Sequence, residues 1–197
     1  MVESLKQIAT RVAEYMAASA ITAPKSTGVN FIETKALTGE DLERLGKAMV
    51  QYGKERPDIF PHLKEATGRF TPQFVEEMFT RDGRNVMKSQ AVLLISLNKG
   101  ASLGLDCGGC GVETCVERKE TSNTEFAGPQ CAFRLIDLGI ALGSAVKTAM
   151  DFNMDNRMMY TMGAVARHAG MVEGEWAIGV PLSISGKNVF FDRIPLK

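Results

Sequence analysis

Four cysteines in one glycine-rich stretch constrain this chain of 197 residues more than any other feature: Cys107-x2-Cys110-x4-Cys115-x15-Cys131. The segment GLDCGGCGVETC, with Gly100, Gly104, Gly108, Gly109 and Gly111 at or near the first cysteines, has to fold as a loop. Glycines there permit positive φ and let backbone N–H groups approach closely. Such N–H groups form a concavity suited to anionic sulfides and thiolates. Three close cysteines and a distant fourth is a common way to hold a [4Fe-4S] cluster, with a loop on one side and a separate element supplying the last ligand. Two other readings stand beside it. A four-cysteine zinc site usually shows two CxxC knuckles, and the second half here has no second pair. A redox thiol pair at Cys107 and Cys110 needs a strand-to-helix context and leaves Cys115 and Cys131 unexplained.

Length and charge limit the rest. At roughly 150 residues per domain, residues 1–197 are expected to form one domain, with the iron–sulfur loop, residues 100–131, inside it. Lys plus Arg equals Asp plus Glu at 23 each, so no global basic field favours nucleic acid. The most apolar helical stretch, around Leu135–Ala149, contains Asp137 and Lys147, and no membrane span is expected. The opening MVESLKQIATRVAEYM intersperses charges with apolar residues and lacks a signal-peptide core. A reducing, cytoplasmic setting is therefore expected, which disfavours structural disulfides.

Hydrophobic periodicity places the elements. Leu5, Ile8, Ala9, Val12 and Met16 predict a helix over residues 3–20, ended by Ala23-Pro24. An extended piece, Val29–Leu37, precedes a helix opened by Thr38-x-x-Asp41 with Leu42, Leu45 and Met49 inward. Lys54–Arg69 reads as a linker or lid. Thr71-Pro72 opens a helix to about Thr80. AVLLISL, residues 91–97, predicts a strand buried on both faces. The loop leaves its end, and Cys131 stands at or just before a long helix, Ala132–Phe152, whose Gly139, Ala141, Gly143 and Ala145 make a small face for close helix packing, within the subunit or across a dimer. Asp155 or Asn156 is expected to cap a further helix through Ala169. Ile178, Val180, Leu182 and Ile184 alternate as a strand that turns at 185–188 into Val189–Phe191. The expected fold class is α/β (α+β), a helix-rich sandwich around a small sheet.

The CGGCG-VETC stretch with a downstream cysteine resembles the four-cysteine [4Fe-4S] domain of Rnf-type electron-transport subunits and of the corrinoid iron–sulfur protein. In those proteins a proline commonly follows the last cysteine; here Pro129 precedes Cys131 and Ala132 follows it. Across nearly its whole length the chain is similar to a family of uncharacterised prokaryotic ferredoxin-domain proteins. The matching stretches are AITAPKSTGV (20–29), LDCGGCGVETC (105–115), DLGIALGSAV (137–146), DNRMMYTMG (155–163) and PLSISGKNVFFDR (181–193). The order of elements also resembles the nitroreductase fold. That likeness implies a homodimer with FMN at the subunit interface, and the iron–sulfur loop as an insertion between buried strand and long helix. The fold's N-terminal arginine cluster for the flavin phosphate has no counterpart, since only Lys6 and Arg11 precede the APK stretch.

The function expected from this reading is electron transfer, or a redox-enzyme component, with one [4Fe-4S] cluster on Cys107, Cys110, Cys115 and Cys131. Electrons would pass to a redox partner protein or to flavin. The alternatives are a flavin-dependent reductase using the cluster as relay, and a non-catalytic module stapled by zinc. Asp155-Asn156-Arg157 with Tyr160 is a candidate ligand pocket, weighed against an ordinary helix cap. Lys25, His62, His168 and the pair Asp192-Arg193 read as surface or packing residues. Five acids and two bases between Gly100 and Cys131 leave a net of −3, which suits a basic partner or simply solvates the loop.

Overall fold

A computed structural model describes residues 4–119 and 125–191. Along the chain run α1 (Leu5–Thr22), β1 (Ile32–Leu37), α2 (Gly39–Glu55), α3 (Pro61–Thr67), α4 (Pro72–Lys88), β2 (Ala91–Leu97), α5 (Ala132–Asp151), β3 (Asp155–Asn156), α6 (Tyr160–His168) and β4 (Trp176–Ser183). The fold is mixed α/β: among the described residues, six helices cover a four-stranded sheet of order β1-β2-β4-β3. Every pairing is antiparallel, with Ile32 opposite Leu97 and Leu97 opposite Trp176. No helix among the described residues is long and apolar enough to cross a membrane.

All seven residues of β2 are buried, as the unbroken apolar run predicts. Period-two alternation sends Ala91, Leu93, Ile95 and Leu97 to one core with α1 and α5, and Val92 and Leu94 to the other with α2, α4 and α6. On the first side Ala9, Ala13, Met16 and Ala20 of α1 meet Leu138, Ala141, Ala145 and Ala149 of α5. Small side chains on both helices let their axes approach. On the second side Leu45 and Met49 of α2 pack with Val75 and Phe79 of α4.

Several boundaries differ from the sequence reading, each for a tertiary reason. Helix α4 continues past Thr80 to Lys88 because Gly83 is a crossing point: a Cβ there would lie 2.6 Å from the Gly46 carbonyl of α2. The stretch read as a linker contains α3, with Pro61 in its first turn and Gly68 ending it at φ 65°. Asp155 and Asn156 do not cap a helix. They pair with Ser183 and Leu182 on β4, and α6 begins only at Tyr160. Val189–Phe191 forms no strand, and Phe190 is instead buried in the second core. Gly139 and Gly143 stay exposed with open space beside them, so the α1 contact uses the alanine face of α5 instead.

The tightest contact joins α6 to β4, where a Cβ on Gly163 would fall 1.8 Å from the Ala177 carbonyl. Gly163→Ala is therefore expected to destabilise by at least about 1–3 kcal/mol, as overpacking against rigid backbone does. Urea unfolding at constant m-value checks it.

Candidate metal centre

The loop begins where β2 ends. Asn98 N donates to the Phe31 carbonyl (2.9 Å), and Ala101 is fully buried two residues beyond Lys99. The chain then turns through left-handed conformations at Gly104, Asp106, Gly108 and Gly111. Gly108 and Gly111 flank Cys110 and close a tight turn, Gly111 N donating to the Gly108 carbonyl at 2.9 Å. Asp106 adopts φ 47° without being glycine, and its Oδ1 accepts from Cys115 N at 2.6 Å. That bond ties the residue before the first cysteine to the third. A short 3-10 turn, Cys115–Glu117, follows, and Arg118 Nη1 donates back to the Ala101 carbonyl at 2.9 Å.

Cys131 arrives from the other limb as the N-cap of α5. The first turn of that helix is locked from below. Asp137 Oδ1 accepts from Ser26 N (2.8 Å) and Ser26 Oγ (2.9 Å), and Oδ2 accepts from Arg134 Nη1 (2.9 Å). Arg134 is 2% exposed, donates to the Ser26 and Val29 carbonyls at 3.1 Å each, and lies over the Phe31 ring. The turn that carries Cys131 is thus held by the α1–β1 connection, more than a hundred residues away in sequence.

All four cysteines line one small cavity, together with Ser102, Asp106, Val112, Arg118 and Ala132. Cys107 is exposed at its mouth, Cys110 and Cys115 are half-buried, and Cys131 is buried; none is in a disulfide. As placed, no three His, Cys, Asp or Glu side chains among the described residues converge on a single ion. Burial alone would push the Cys131 thiol up. The backbone N–H groups of Arg134, Leu103 and Phe133, with the charge of Arg118, outweigh it and hold the thiol below its ordinary value. Four sulfurs around one space, N–H groups at a helix N-terminus and a nearby guanidinium make a donor set that fits an anionic iron–sulfur cluster.

The returning limb is riveted to the second core. Tyr52 Oη donates to Glu125 Oε1 (3.0 Å), Arg56 Nη1 donates to Tyr52 Oη (3.0 Å), and Arg167 Nη1 donates to the Glu125 carbonyl (3.3 Å). Phe126 stacks on Trp176 with centroids 4.4 Å apart and meets the Tyr160 ring edge-on. None of these residues was singled out for the loop by sequence, because their partners lie dozens of positions away. Asp106 and Arg118 were missed as well, although each stands close to a cysteine, Asp106 directly before Cys107 and Arg118 directly after the Cys115–Glu117 turn.

The remaining described candidates do not line the cysteine cavity. Lys25 Nζ donates to the Ala20, Ile21 and Ala23 carbonyls at 2.6–3.1 Å and so caps α1. Burial lowers its pKa, opposed by Asp137. Arg157 donates to the Phe190 carbonyl at 3.2 Å and stands 3.9 Å from buried Asp82. His62 is exposed beside Glu65, and His168 sets its ring edge-on to Tyr52. Tyr160 packs in an aromatic cluster with Phe60 and Phe126. Asp192-Arg193 lies outside the described residues. Lys6 and Arg11 line only a shallow, open surface on α1 with Ser4, Gln7, Thr10 and Glu14, and Lys25 is committed to its cap.

Burial and the Glu125 charge raise the Tyr160 phenol to about 12, and the same two causes raise Tyr52. Each phenol keeps its proton more firmly folded than unfolded. The stability this contributes is complete below about pH 10 and is lost as pH rises through about 12. The urea midpoint of the wild type should therefore fall toward that of Tyr160→Phe between pH 10 and 12.

The fold is that of the nitroreductases. The FMN-dependent nitroreductase NfnB from Mycobacterium smegmatis in complex with NADPH superposes with TM-score 0.58 at 14% identity, over 95% of this chain and 84% of that one. NfnB from a Sphigopyxis strain, an FMN and NADPH-dependent nitroreductase, gives 0.55 at 12% identity, over 100% and 87%. A nitroreductase with bound FMN from Desulfitobacterium hafniense gives 0.52 at 13%, over 95% and 81%. A family model described as "uncharacterized protein containing a ferredoxin domain" matches residues 127–193, which include Cys131 but not the other three cysteines. An uncharacterized protein from Archaeoglobus fulgidus is 40% identical over 184 residues, covering 92% of this chain and 90% of its own length. At that identity and coverage the chain belongs to one family with the Archaeoglobus fulgidus protein, and its residues 127–193 carry the match to the ferredoxin-domain family.

Proposed function

We propose that the chain binds one [4Fe-4S] cluster on Cys107, Cys110, Cys115 and Cys131 and passes single electrons to a redox partner protein, as a carrier or as a component of an oxidoreductase. The observation that carries this is the lining of one cavity by all four cysteines, three from a glycine-rich loop and one from the N-terminus of a long helix. A bound cluster supplies a one-electron couple whose potential is set by N–H donors, charge and exposure. The N–H groups of Leu103, Phe133 and Arg134 and the Arg118 charge favour the anionic thiolate at Cys131. Asp106 holds Cys115 in register with Cys107. Exposed Cys107 marks the side where a partner would come nearest. In this reading residues 1–197 act as a single cytoplasmic domain, with residues 100–131 as its cluster loop and no role for nucleic acid or membrane.

The protein works as a homodimer through α5. Phe133, Ile136, Ile140 and Met150 are 39–67% exposed on that helix, and Gly139 and Gly143 have no atom near a built Cβ. Replacing both glycines by leucine leaves the folded chain intact but should disperse dimers to monomers in sedimentation equilibrium. A second reading, a flavin-dependent reductase with the cluster as relay, is favoured by the fold and opposed by the missing arginine cluster for the flavin phosphate.

Anaerobic reconstitution, with iron, sulfide, zinc and released flavin measured on one sample, tests these readings. About four irons and four sulfides per chain and a band near 400 nm bleached by dithionite are expected. Each single Cys→Ser variant should lose most of its iron while the far-UV spectrum stays unchanged. Full iron content in all four variants would reject the ligand set. Stoichiometric zinc without iron would make the centre a structural staple, and bound flavin would favour the reductase.

A further inference from the structure

Glu175 stands just ahead of β4 and is 9% exposed. One of its oxygens, Oε2, accepts from Gly100 N at 3.3 Å and from Gln130 Nε2 at 3.0 Å. Gly100 is where the loop departs from β2, and Gln130 immediately precedes Cys131. Two residues thirty positions apart thus meet on a single carboxylate oxygen. The Glu175 backbone repeats the pattern, its N–H donating to the Leu97 carbonyl (2.9 Å) and its carbonyl accepting from Ala127 N (3.2 Å). Gln130 is 6% exposed, and its Nε2 also donates to the Ala127 carbonyl at 3.1 Å. The approach depends on Gly174, where a Cβ would lie 2.6 Å from the Leu97 carbonyl and 2.8 Å from Ser96 Oγ.

We propose that Glu175 is a positioning residue for the metal centre, clasping the outgoing and returning limbs of the loop so that Cys131 stands across the cavity from Cys107, Cys110 and Cys115. Its role toward the cluster rests on the function proposed above, whereas the clasp itself is a property of the chain without metal. Bringing the ends of a long loop together costs closure entropy, and a loop already closed spares ligand capture that cost. A buried carboxylate is costly without donors, and here Gly100 N from one limb and Gln130 Nε2 from the other both supply them. Sequence could not have marked Glu175, which lies 44 residues beyond the last cysteine in an unremarkable VEGEW stretch.

The test uses the full chain as wild type, Glu175→Ala, Glu175→Gln and Gln130→Ala. In the metal-free chain, each thiol's alkylation rate is followed by mass spectrometry. Wild-type Cys131 should lag exposed Cys107. Glu175→Ala should speed Cys131 several-fold and leave Cys107 unchanged, and Glu175→Gln, whose single carbonyl oxygen can take both donors, should restore the lag. In the reconstituted chain, a chelator should strip iron about tenfold faster from Glu175→Ala than from wild type or Glu175→Gln, the scale of outer-shell effects on metal sites. If Glu175→Ala does not fold, Gln130→Ala removes one donor and should move both readouts in the same direction, less far. An unchanged Cys131 rate in either alanine variant, or a glutamine variant that behaves like alanine, overturns the clasp. Failure of the wild type to take up iron would reject the cluster, while the alkylation arm would still decide the clasp.

Discussion

Strand β2 is buried along both faces, and the layers on either side take their positions from it. Its odd residues anchor α1 and α5, its even ones α2, α4 and α6, and its two neighbours pair antiparallel in continuous register. A fully buried strand has its backbone satisfied only by its ladder, so the sheet cannot shift register without exposing one whole set of side chains. The end of this rigid strand is where the cysteine loop starts. The first limb of the cysteine loop is therefore as well placed as anything in the fold.

The second limb depends on other constraints. Cys131 belongs to a helix whose first turn is fixed by the Arg134–Asp137 pair against Ser26, Val29 and Phe31. Both side chains are 2–3% exposed, and losing one partner of such a pair typically costs about 3–5 kcal/mol because the other is left charged in the interior. Beside it, Glu125, Phe126 and Gln130 are tied to α2, Trp176 and Glu175. The loop is irregular in itself but is pinned at both ends by the most buried parts of the molecule. Such a scaffold can hold four thiols at set positions while leaving Cys107 near solvent.

The comparison with the nitroreductases separates architecture from chemistry. This chain shares their sheet and helix arrangement at 12–14% identity, yet the basic residues ahead of its APK stretch sit on an open helix face. The cysteine cavity, built on a segment between β2 and α5, is where the chain's distinctive side chains gather. Fold alone would have pointed to flavin. The proposed cluster rests instead on the side chains that line the cavity.

Local patterns in the sequence were enough for β2, for α1, and for Cys131 at the start of α5, because a seven-residue apolar run, a 3.6-residue period and a cysteine spacing are local facts about the chain. The four thiols were legible for the same reason. What tertiary structure alone decided involves residues far apart. The helix expected to end near Thr80 runs on to Lys88 with Gly83 set against Gly46, and Asp155 looks like a cap until β4 offers it a strand partner. Gly139 and Gly143 read as a packing face, but the alanines beside them made the contact. Glu125 and Glu175 have no local pattern, and the i,i+3 spacing of Arg134 and Asp137 gives no sign that the pair is buried against Ser26 and Val29. Their placement comes from burying charge only where donors and acceptors from distant segments converge, which no window of sequence can display.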